Sequence, residues 1–285
     1  MGIKNFFHKV KMGFVRVCET SIPQVSSIKR YGNYGEDEFV YLLKQMLPSC
    51  KIKRNILIIT PDGVAEIDCL VLYENKLFAV EVKRWKGRLY ETENGFVQEK
   101  TDRWTGELHT KHQKSPFKQL NRAIYLLRKS IPNKVWVNGI VFFDDDEFEE
   151  ITTSSNDVWF DDIKKLVAYI STSGDSSIHE NANTFFNNCV ASDYLYSKTW
   201  DKSLHCFICN DSLEIIFDTK QIHRANIKQI DIKHHWSYDE LYITLLNNQN
   251  FSIIKENAKI QVIDNGVKKD FALCKLDYIE FGSCI

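Results

Sequence analysis

The chain lacks the long apolar segments that mark membrane-spanning and exported proteins. None of its apolar runs reaches about 18 residues, so we predict no transmembrane helix. The basic N-terminus is not followed by an apolar stretch and a small-residue cleavage site, so we predict no secretory signal. Eight cysteines are scattered along the chain, and without a secretory signal we expect them to be reduced thiols. These absences predict a cytoplasmic protein.

Glycine and proline are also scarce, with 12 and 5 residues among 285. We find no low-complexity segment and no internal repeat, which argues against disordered and repeat architectures. Cys206 and Cys209 form a Cys-x-x-Cys pair without a compact second pair, so we interpret them as two strand thiols, with half of a zinc site as the alternative. A hydrophobic content of 44% and a charged content of 26% are ordinary for one large globular domain or two modest ones.

Charge is distributed unevenly along the chain. Residues 1–143 contain 24 Lys and Arg against 14 Asp and Glu, a net charge of +10. Residues 144–199 contain 3 against 12, and residues 200–285 contain 10 against 12. A basic segment of this kind is expected where a protein binds a polyanion, although two solvated faces of opposite sign would give the same counts.

The hydrophobic pattern predicts four segments. They are a basic amphipathic helical lead-in (1–29), a domain of helices and strands (30–143), an acidic loop with a helical connector (144–199), and a β-rich module (200–285). The expected fold class is α/β, a mixed sheet flanked by helices, with a smaller mainly-β C-terminal domain.

Local patterns predict individual elements within these segments. They are a turn at 32–35, a helix over 36–46, a hairpin over 88–100, a polar loop over 101–115 and a strand over 213–219. The acidic run 144–147 is expected to be a solvated loop, with masking of the basic face as the alternative.

The most informative stretch is 65–83, which predicts two apolar strands joined by a polar turn. The first strand carries Asp68, and the second carries Glu81 and Lys83 two residues apart. Because strand side chains alternate between faces, Glu81 and Lys83 point to one side and Val82 to the other. Charges on an otherwise apolar strand indicate a divalent-metal site, with a buried structural ion-pair cluster as the alternative.

This pattern suits the hydrolysis of phosphodiester bonds. Asp68 and Glu81 offer two carboxylates and Val82 offers its backbone carbonyl, a set of hard oxygen ligands suited to Mg²⁺, for which Mn²⁺ can substitute. A bound divalent ion activates water and neutralises charge on the phosphate. Lys83 can orient or deprotonate that water, or stabilise the developing charge. The motif contains no histidine or thiolate cluster, which argues against a zinc hydrolase.

Four motifs occur in order over residues 30–143. They are Gly35-Glu36 at a helix start, Glu66-Ile67-Asp68, Glu81-Val82-Lys83 with Trp85-x-Gly87, and Ser115-Pro116-x-x-Gln119. In this order they resemble the NERD (nuclease-related) domain, a branch of the PD-(D/E)xK, or restriction-endonuclease-like, nucleases. The family usually has Asn where this chain has Ser115. The resemblance implies a restriction-endonuclease-like fold and a metal-dependent nuclease.

The resemblance also implies roles for individual residues. Asp68 and Glu81 become the main metal ligands, Lys83 the base or stabiliser, Glu36 a further metal ligand reaching in from its helix, and Gln119 a support for the site. The alternatives are that Glu36 complements its helix dipole and that Gln119 is a solvated helix residue. Proteins of this family mostly serve DNA processing or defence against foreign DNA, so DNA rather than RNA is the expected substrate.

Further residues are candidates for the edge of the site and for nucleic-acid contacts. Glu66 lies two residues from Asp68 and is expected at the site edge. Trp85 and Trp104 are candidates for base stacking or, alternatively, core or rim aromatics. Phosphate contacts, which add salt dependence rather than sequence preference, are expected from Arg84, Lys86, Arg88, Lys114 and Lys118, with a solvated basic face as the alternative.

Two other functions are open on the sequence. The first is a catalytically silent nucleic-acid-binding or scaffold protein, which binding without cleavage would favour. The second is a membrane- or complex-associated protein, suggested by the amphipathic segment 3–20 and the acidic stretch after residue 143. The module at 200–285 has no basic excess, so we expect it to bind a protein partner or to form a homodimer.

Overall fold

The computed structural model describes most of the chain. It covers residues 27–102, 104–130, 135–145, 147–153, 157–172, 180–197, 204–217, 224–264 and 267–282, without the side chains of residues 27–34, 205, 210, 212 and 225. The predicted amphipathic helix of 3–20 lies outside these ranges. Among the described helices, none is long and apolar enough to cross a membrane. Contacts group the described residues between 28 and 191 into one compact unit and those between 192 and 282 into a second. The finer division into four segments stays a prediction.

The first unit is a mixed α/β structure. Its elements are α1 (Ser27–Met46), β1 (Lys51–Thr60), β2 (Gly63–Tyr73), β3 (Lys76–Lys83), β4 (Gly87–Thr92), β5 (Gly95–Thr101), β6 (Leu108–Gln113), α2 (Pro116–Ser130), β7 (Val137–Phe143), β8 (Phe148–Thr152), β9 (Val158–Phe160), α3 (Ile163–Thr172) and α4 (Ala182–Asn188). One sheet has the order β1-β2-β3-β7-β9 and another the order β6-β5-β4-β8. Strands β1 to β3 pair antiparallel, whereas β3, β7 and β9 pair parallel. The predicted mixed sheet flanked by helices is therefore confirmed.

Helices cover both faces of the five-stranded sheet. Phe78, Val80 and Val82 of β3 belong to the core that includes residues of α1 and α3. Leu77 and Ala79 belong to the opposite core, which includes residues of α2 and α4. Strand β3 is thus apolar on both faces, as expected for a central strand of a sheet covered on two sides.

The second unit is mainly β, as predicted. Its elements are β10 (Asp193–Tyr196), β11 (Leu204–Ile208), α5 (Asn210–Phe217), β12 (Ile227–His234), β13 (Asp239–Leu245), β14 (Asn250–Lys255), β15 (Lys259–Asp264), β16 (Val267–Ala272) and β17 (Tyr278–Glu280), with short 3₁₀ helices at Arg224–Asn226 and Leu273–Lys275. The strands form one antiparallel sheet, in the order β14-β13-β12-β17-β10-β11-β15-β16. Its apolar residues form a core of their own.

Three local predictions are wrong. The backbone of 32–35 continues α1 instead of forming a turn. Part of the predicted polar loop is strand β6, which pairs through its backbone with β5. Almost all of its side chains are exposed, so its sequence lacks the apolar alternation that would have predicted a strand. The predicted strand at 213–219 overlaps helix α5, in which Leu213, Ile216 and Phe217 are buried at helical spacing. Short apolar runs of this kind do not distinguish a strand from a helix.

Candidate active site

The C-terminal end of β3 carries the acid and the base on one face. Glu81 and Lys83 follow Leu77 and Ala79 in the two-residue alternation, so their side chains project toward the α2 side of the sheet. Glu81 has no exposed surface. Lys83 Nζ donates a hydrogen bond to Glu81 Oε1 over 2.5 Å and lies 4.0 Å from Asp68 Oδ2. The structure therefore brings Asp68, Glu81 and Lys83 together.

Helix α2 adds Gln119 to this group. Gln119 Nε2 donates to Glu81 Oε1 over 2.7 Å. Pro116 occupies the first turn of the helix, and Ser115 Oγ accepts a hydrogen bond from the Lys118 amide, which caps the N-terminus. Because Asn and Ser cap helices about equally well, Ser115 preserves the turn that places Gln119 at the site.

Asp68 lies where β2 and β3 stop pairing through their backbones. Their register ends at Cys69 and Val80, and beyond it Asp68 Oδ2 accepts the Val82 amide over 2.9 Å. The amide and carbonyl of one strand residue point to the same edge, so the Val82 carbonyl faces the side on which Asp68 lies. This arrangement places two carboxylates and one backbone carbonyl at one end of β3.

Asn55 on β1 lies directly across from Asp68, and sequence reasoning missed it. The ladder pairs Arg54 with Cys69 and Ile56 with Ile67, which places Asn55 opposite Asp68. Asn55 is buried and has a φ of +52°. At this level both strands change the face they present: Arg54 and Cys69 face the α1 side, whereas Ile56 and Ile67 pack in the core on the α2 side. The available signal was asparagine itself, which adopts positive φ more readily than other non-glycine residues.

Helix α1 places Glu36 near this group. Arg54 donates to Glu36 Oε2 over 3.1 Å and to Asp37 Oδ1 over 2.6 Å. A Cβ at Gly35, in the middle of α1, would lie 2.5 Å from Arg84 Cγ, so glycine leaves room for the Arg84 side chain just after β3. The metal-ligand role of Glu36 stays a prediction.

Negative charge is concentrated around Glu81. Burial, followed by the charge of Asp68, raises the pKa of Glu81 above its usual range, and the charge of Glu66 adds to this effect. For Lys83, burial lowers the pKa, but the charges of Asp68 and Glu81 raise it by more, so the net pKa lies above the usual value. The charge of Glu36 adds to the same increase.

The donor set fits a magnesium ion. Glu81 Oε2 is buried and accepts no hydrogen bond from any described residue, so one carboxylate oxygen is available as a ligand. In the described part of the chain, no three His, Cys, Asp or Glu side chains cluster in a way that could hold a metal by themselves. Magnesium does not require such a cage, because it keeps several waters and uses one or two carboxylates together with substrate phosphates.

Three of the five side chains predicted to contact phosphates, those of Arg84, Lys86 and Arg88, interact with the acidic residues 144–149. Arg84 Nε donates to the Asp144 carbonyl over 3.0 Å and lies 3.8 Å from Asp145 Oδ2. Lys86 Nζ donates to Glu147 Oε1 over 3.0 Å, and Arg88 Nε donates to Glu149 over 2.8 Å. The expectation of a solvated loop after residue 143 is wrong, because Asp144, Asp145 and Glu147 are half-buried and β8 pairs parallel with β4.

The other predicted contacts differ in exposure. Lys114 and Lys118 are exposed, and Lys118 Nζ donates to the Glu93 carbonyl over 3.1 Å. Trp85 is half-buried and packs against Phe143, which supports its alternative as a rim aromatic of the core. Trp104 is 95% exposed.

Comparison with known proteins supports the relation to a nuclease family. Neither a curated protein nor a solved structure matches the chain significantly. Residues 31–144 match the family model described as the nuclease-related domain, NERD, and a place in the PD-(D/E)xK superfamily is consistent with this family. The match spans α1 through β7 and therefore includes Glu36, Asp68, Glu81, Lys83 and Gln119. Residues 31–144 are thus similar to a nuclease-related domain.

Proposed function

We propose that this protein is a divalent-metal-dependent nuclease that hydrolyses phosphodiester bonds in DNA. The observation that supports this most strongly is the convergence of Asp68, Glu81, Lys83 and Gln119 within hydrogen-bond or ion-pair distance, inside the segment that matches a nuclease-related family. A structural ion-pair cluster would explain the Glu81–Lys83 pair, but it would not require Glu81 to keep a buried oxygen without a described donor.

The proposed metal ligands are Asp68, Glu81 and the backbone carbonyl of Val82. When bound there, Mg²⁺ would supply water activation and charge neutralisation at the phosphate. Asp68 is fixed by the Val82 amide, and Glu81 by Lys83 and Gln119, so both carboxylates are oriented before any ligand arrives. Pre-orientation of this kind lowers the reorganisation that accompanies catalysis.

Lys83 provides the positive charge of the site. Its ammonium group is held by Glu81 and lies close to Asp68, in a position to bind a phosphate oxygen or to orient the attacking water. Glu81 limits the rotamers that this long side chain can adopt. The Lys83 ammonium group is thereby kept close to Asp68 and Glu81 instead of extending into solvent.

Cleavage of a panel of substrates tests the proposal. Supercoiled plasmid, linear duplex and single-stranded DNA, and RNA would be incubated with wild-type protein in Mg²⁺, Mn²⁺ or EDTA, beside Asp68→Asn and the control Asp62→Asn. Asp62 is an acid on the first unit whose side chain pairs with Lys129. We expect metal-dependent cleavage of DNA by wild type and by Asp62→Asn, and loss of roughly 100-fold or more in Asp68→Asn.

The outcomes separate the proposal from its rivals. Cleavage that is unaffected by EDTA, or equal in Asp68→Asn and wild type, would contradict the metal site. Absence of cleavage under every condition, with binding to nucleic acid retained, would instead favour the catalytically silent binding protein.

A further inference from the structure

The hairpin of β5 and β6 presents a tryptophan to solvent at its turn. Asp102 Oδ1 accepts the backbone amides of Trp104 and Thr105, each over 2.8 Å, and the Asp102 carbonyl accepts the Gly106 amide over 2.9 Å. These bonds fix the turn, and the Trp104 side chain is 95% exposed above it. The indole is therefore held outward by a defined backbone rather than packed on the core.

The segment that follows this turn contains exposed lysines. Residues 108–118 contain three lysines and two histidines but no aspartate or glutamate. All five are exposed: Lys111, Lys114, Lys118, His109 and His112. One exposed acid, Glu107, lies between Trp104 and these residues. An aromatic ring near several exposed lysines is complementary to a nucleic-acid strand, which offers bases for stacking and phosphates for ion pairing.

The basic residues between 84 and 88 differ from these lysines because they already form ion pairs. Arg84, Lys86 and Arg88 pair with acidic residues between 144 and 150, and Lys100 Nζ lies 3.5 Å from Glu147. Phosphates would have to compete with these carboxylates at Arg84, Lys86 and Arg88. Lys111 lies on β6, which is the edge strand of its sheet in the described part of the chain, so no acidic strand pairs with its outer side.

This lysine-containing segment leads along the chain to the candidate active site. After β6 the chain enters α2, whose Gln119 donates to Glu81. The six residues of β6 span roughly 20 Å of extended chain, enough to follow several nucleotides. Trp104 and Gln119 thus lie at the two ends of one segment of the chain, in which β6 leads into the helix that contacts Glu81.

We propose that the surface from Trp104 along β6 to Lys118 binds single-stranded nucleic acid, or an unpaired stretch of it, with Trp104 stacking on a base. This inference rests on the proposed nuclease function and names the form of its substrate. Stacking requires a base whose face is accessible, which a paired duplex does not provide. Lys111 and Lys114 contact phosphates and supply the salt dependence of binding.

Fluorescence anisotropy in EDTA tests the proposal without cleavage. The probes are a labelled 30-nucleotide single strand and the duplex of the same sequence. The variants are Trp104→Ala and Lys111→Gln/Lys114→Gln. Their controls in the second unit are Trp236→Ala, also an exposed tryptophan, and Lys233→Gln/Lys268→Gln, exposed strand lysines.

We expect Trp104→Ala to weaken single-strand binding roughly tenfold and duplex binding much less. We expect the double lysine variant to reduce the slope of log affinity against log salt by about 1.4, the value for two phosphate contacts on a single strand. Both controls should bind like wild type.

Three results would overturn the proposal. They are equal binding by Trp104→Ala and wild type, equal losses on single strand and duplex, and no binding of either probe by wild type. Wild-type cleavage of DNA together with unaltered binding by the hairpin variants would reject this surface and leave the nuclease function standing. Weakened binding by the variants without any cleavage by wild type would reject the nuclease function alone.

Discussion

At the scale of single residues, the candidate site converges on Glu81. Its Oε1 accepts hydrogen bonds from both Lys83 and Gln119, while its Oε2 has no donor among the described residues. The sequence predicted that Glu81 and Lys83 lie on one face, because side chains alternate between the two faces of a strand. It could not show that Gln119 reaches Glu81, because that contact depends on how α2 packs against β3.

Gln119→Leu tests the positioning of Glu81. We expect kcat to fall by about tenfold with little change in KM, because one of the two groups that orient the carboxylate is lost. Steady-state cleavage assays measure both constants. The control is Asn121→Leu on the same helix, which removes the hydrogen bond from Asn121 to Asp157. Equal kcat values for Gln119→Leu and wild type would contradict the positioning role.

At the scale of elements, two backbone positions shape the site and its neighbouring sheet. Asn55 has positive φ opposite Asp68, where β1 and β2 change the face they present. Gly87 has a φ of +76°, and a Cβ there would lie 2.1 Å from the Glu99 carbonyl oxygen. Regular alternation predicted the strands but not this change of face, because one residue of positive φ is enough to reverse the pattern.

Replacement of Asn55 separates backbone conformation from side-chain contacts. Asn55→Ala and Asn55→Gly both remove the side chain, but only glycine adopts positive φ without strain. We therefore expect Asn55→Ala to lower the free energy of unfolding by about 1 kcal/mol more than Asn55→Gly. Urea denaturation of the two variants measures the difference. A glycine variant less stable than the alanine variant would show that φ is not the constraint.

Gly87 and Gly106 form a second matched pair. Gly106 has a φ of +72° but nothing within 4 Å of an added Cβ. Gly106→Ala is expected to lower the free energy of unfolding by about 1 kcal/mol through strain alone. Gly87→Ala adds a clash with the backbone of Glu99, so we expect it to lower the free energy of unfolding by about 3 kcal/mol. Thermal or urea unfolding of both variants checks this order, and equal losses would refute the packing argument at Gly87.

At the scale of the whole molecule, the sequence predicted an α/β part followed by a mainly-β part, and both are present. Helical and strand periodicities are local signals, so they identify fold class without any knowledge of contacts. The uneven charge was also visible in the sequence. The ion pairs between the two charged segments were not visible, because a count of acids after residue 143 does not show that they lie against Arg84, Lys86 and Arg88.

The stability of the second unit is expected to depend on pH through His234. Burial lowers the pKa of this imidazole, but hydrogen bonding to Asp239 and the charge of Asp277 raise it to about 9 overall. His234 Nδ1 lies 2.9 Å from Asp239 Oδ1, and Nε2 lies 3.5 Å from Asp277 Oδ1. Because the folded pKa exceeds the unfolded value of about 6.5, the stabilisation is complete below pH ~6.5 and is lost as pH rises toward 9.

Urea denaturation at pH 6, 7.5 and 9 measures this contribution. We expect the free energy of unfolding of wild type to fall over this range by up to about 3 kcal/mol more than that of His234→Gln. Subtracting the pH-dependent change of the variant from that of wild type removes the contribution of the other titrating groups. Parallel pH profiles for the two proteins would show that the His234 charge does not stabilise the fold.

The most direct test of the central claim is the single-turnover cleavage rate of labelled DNA by Lys83→Met in Mg²⁺, measured beside wild type. Methionine keeps much of the apolar side-chain length and removes the charge. If Asp68, Glu81 and Lys83 form one hydrolytic site, the rate should fall by roughly 100-fold or more at a temperature at which an unfolding curve shows the variant to be folded. A rate within about twofold of wild type would contradict the account.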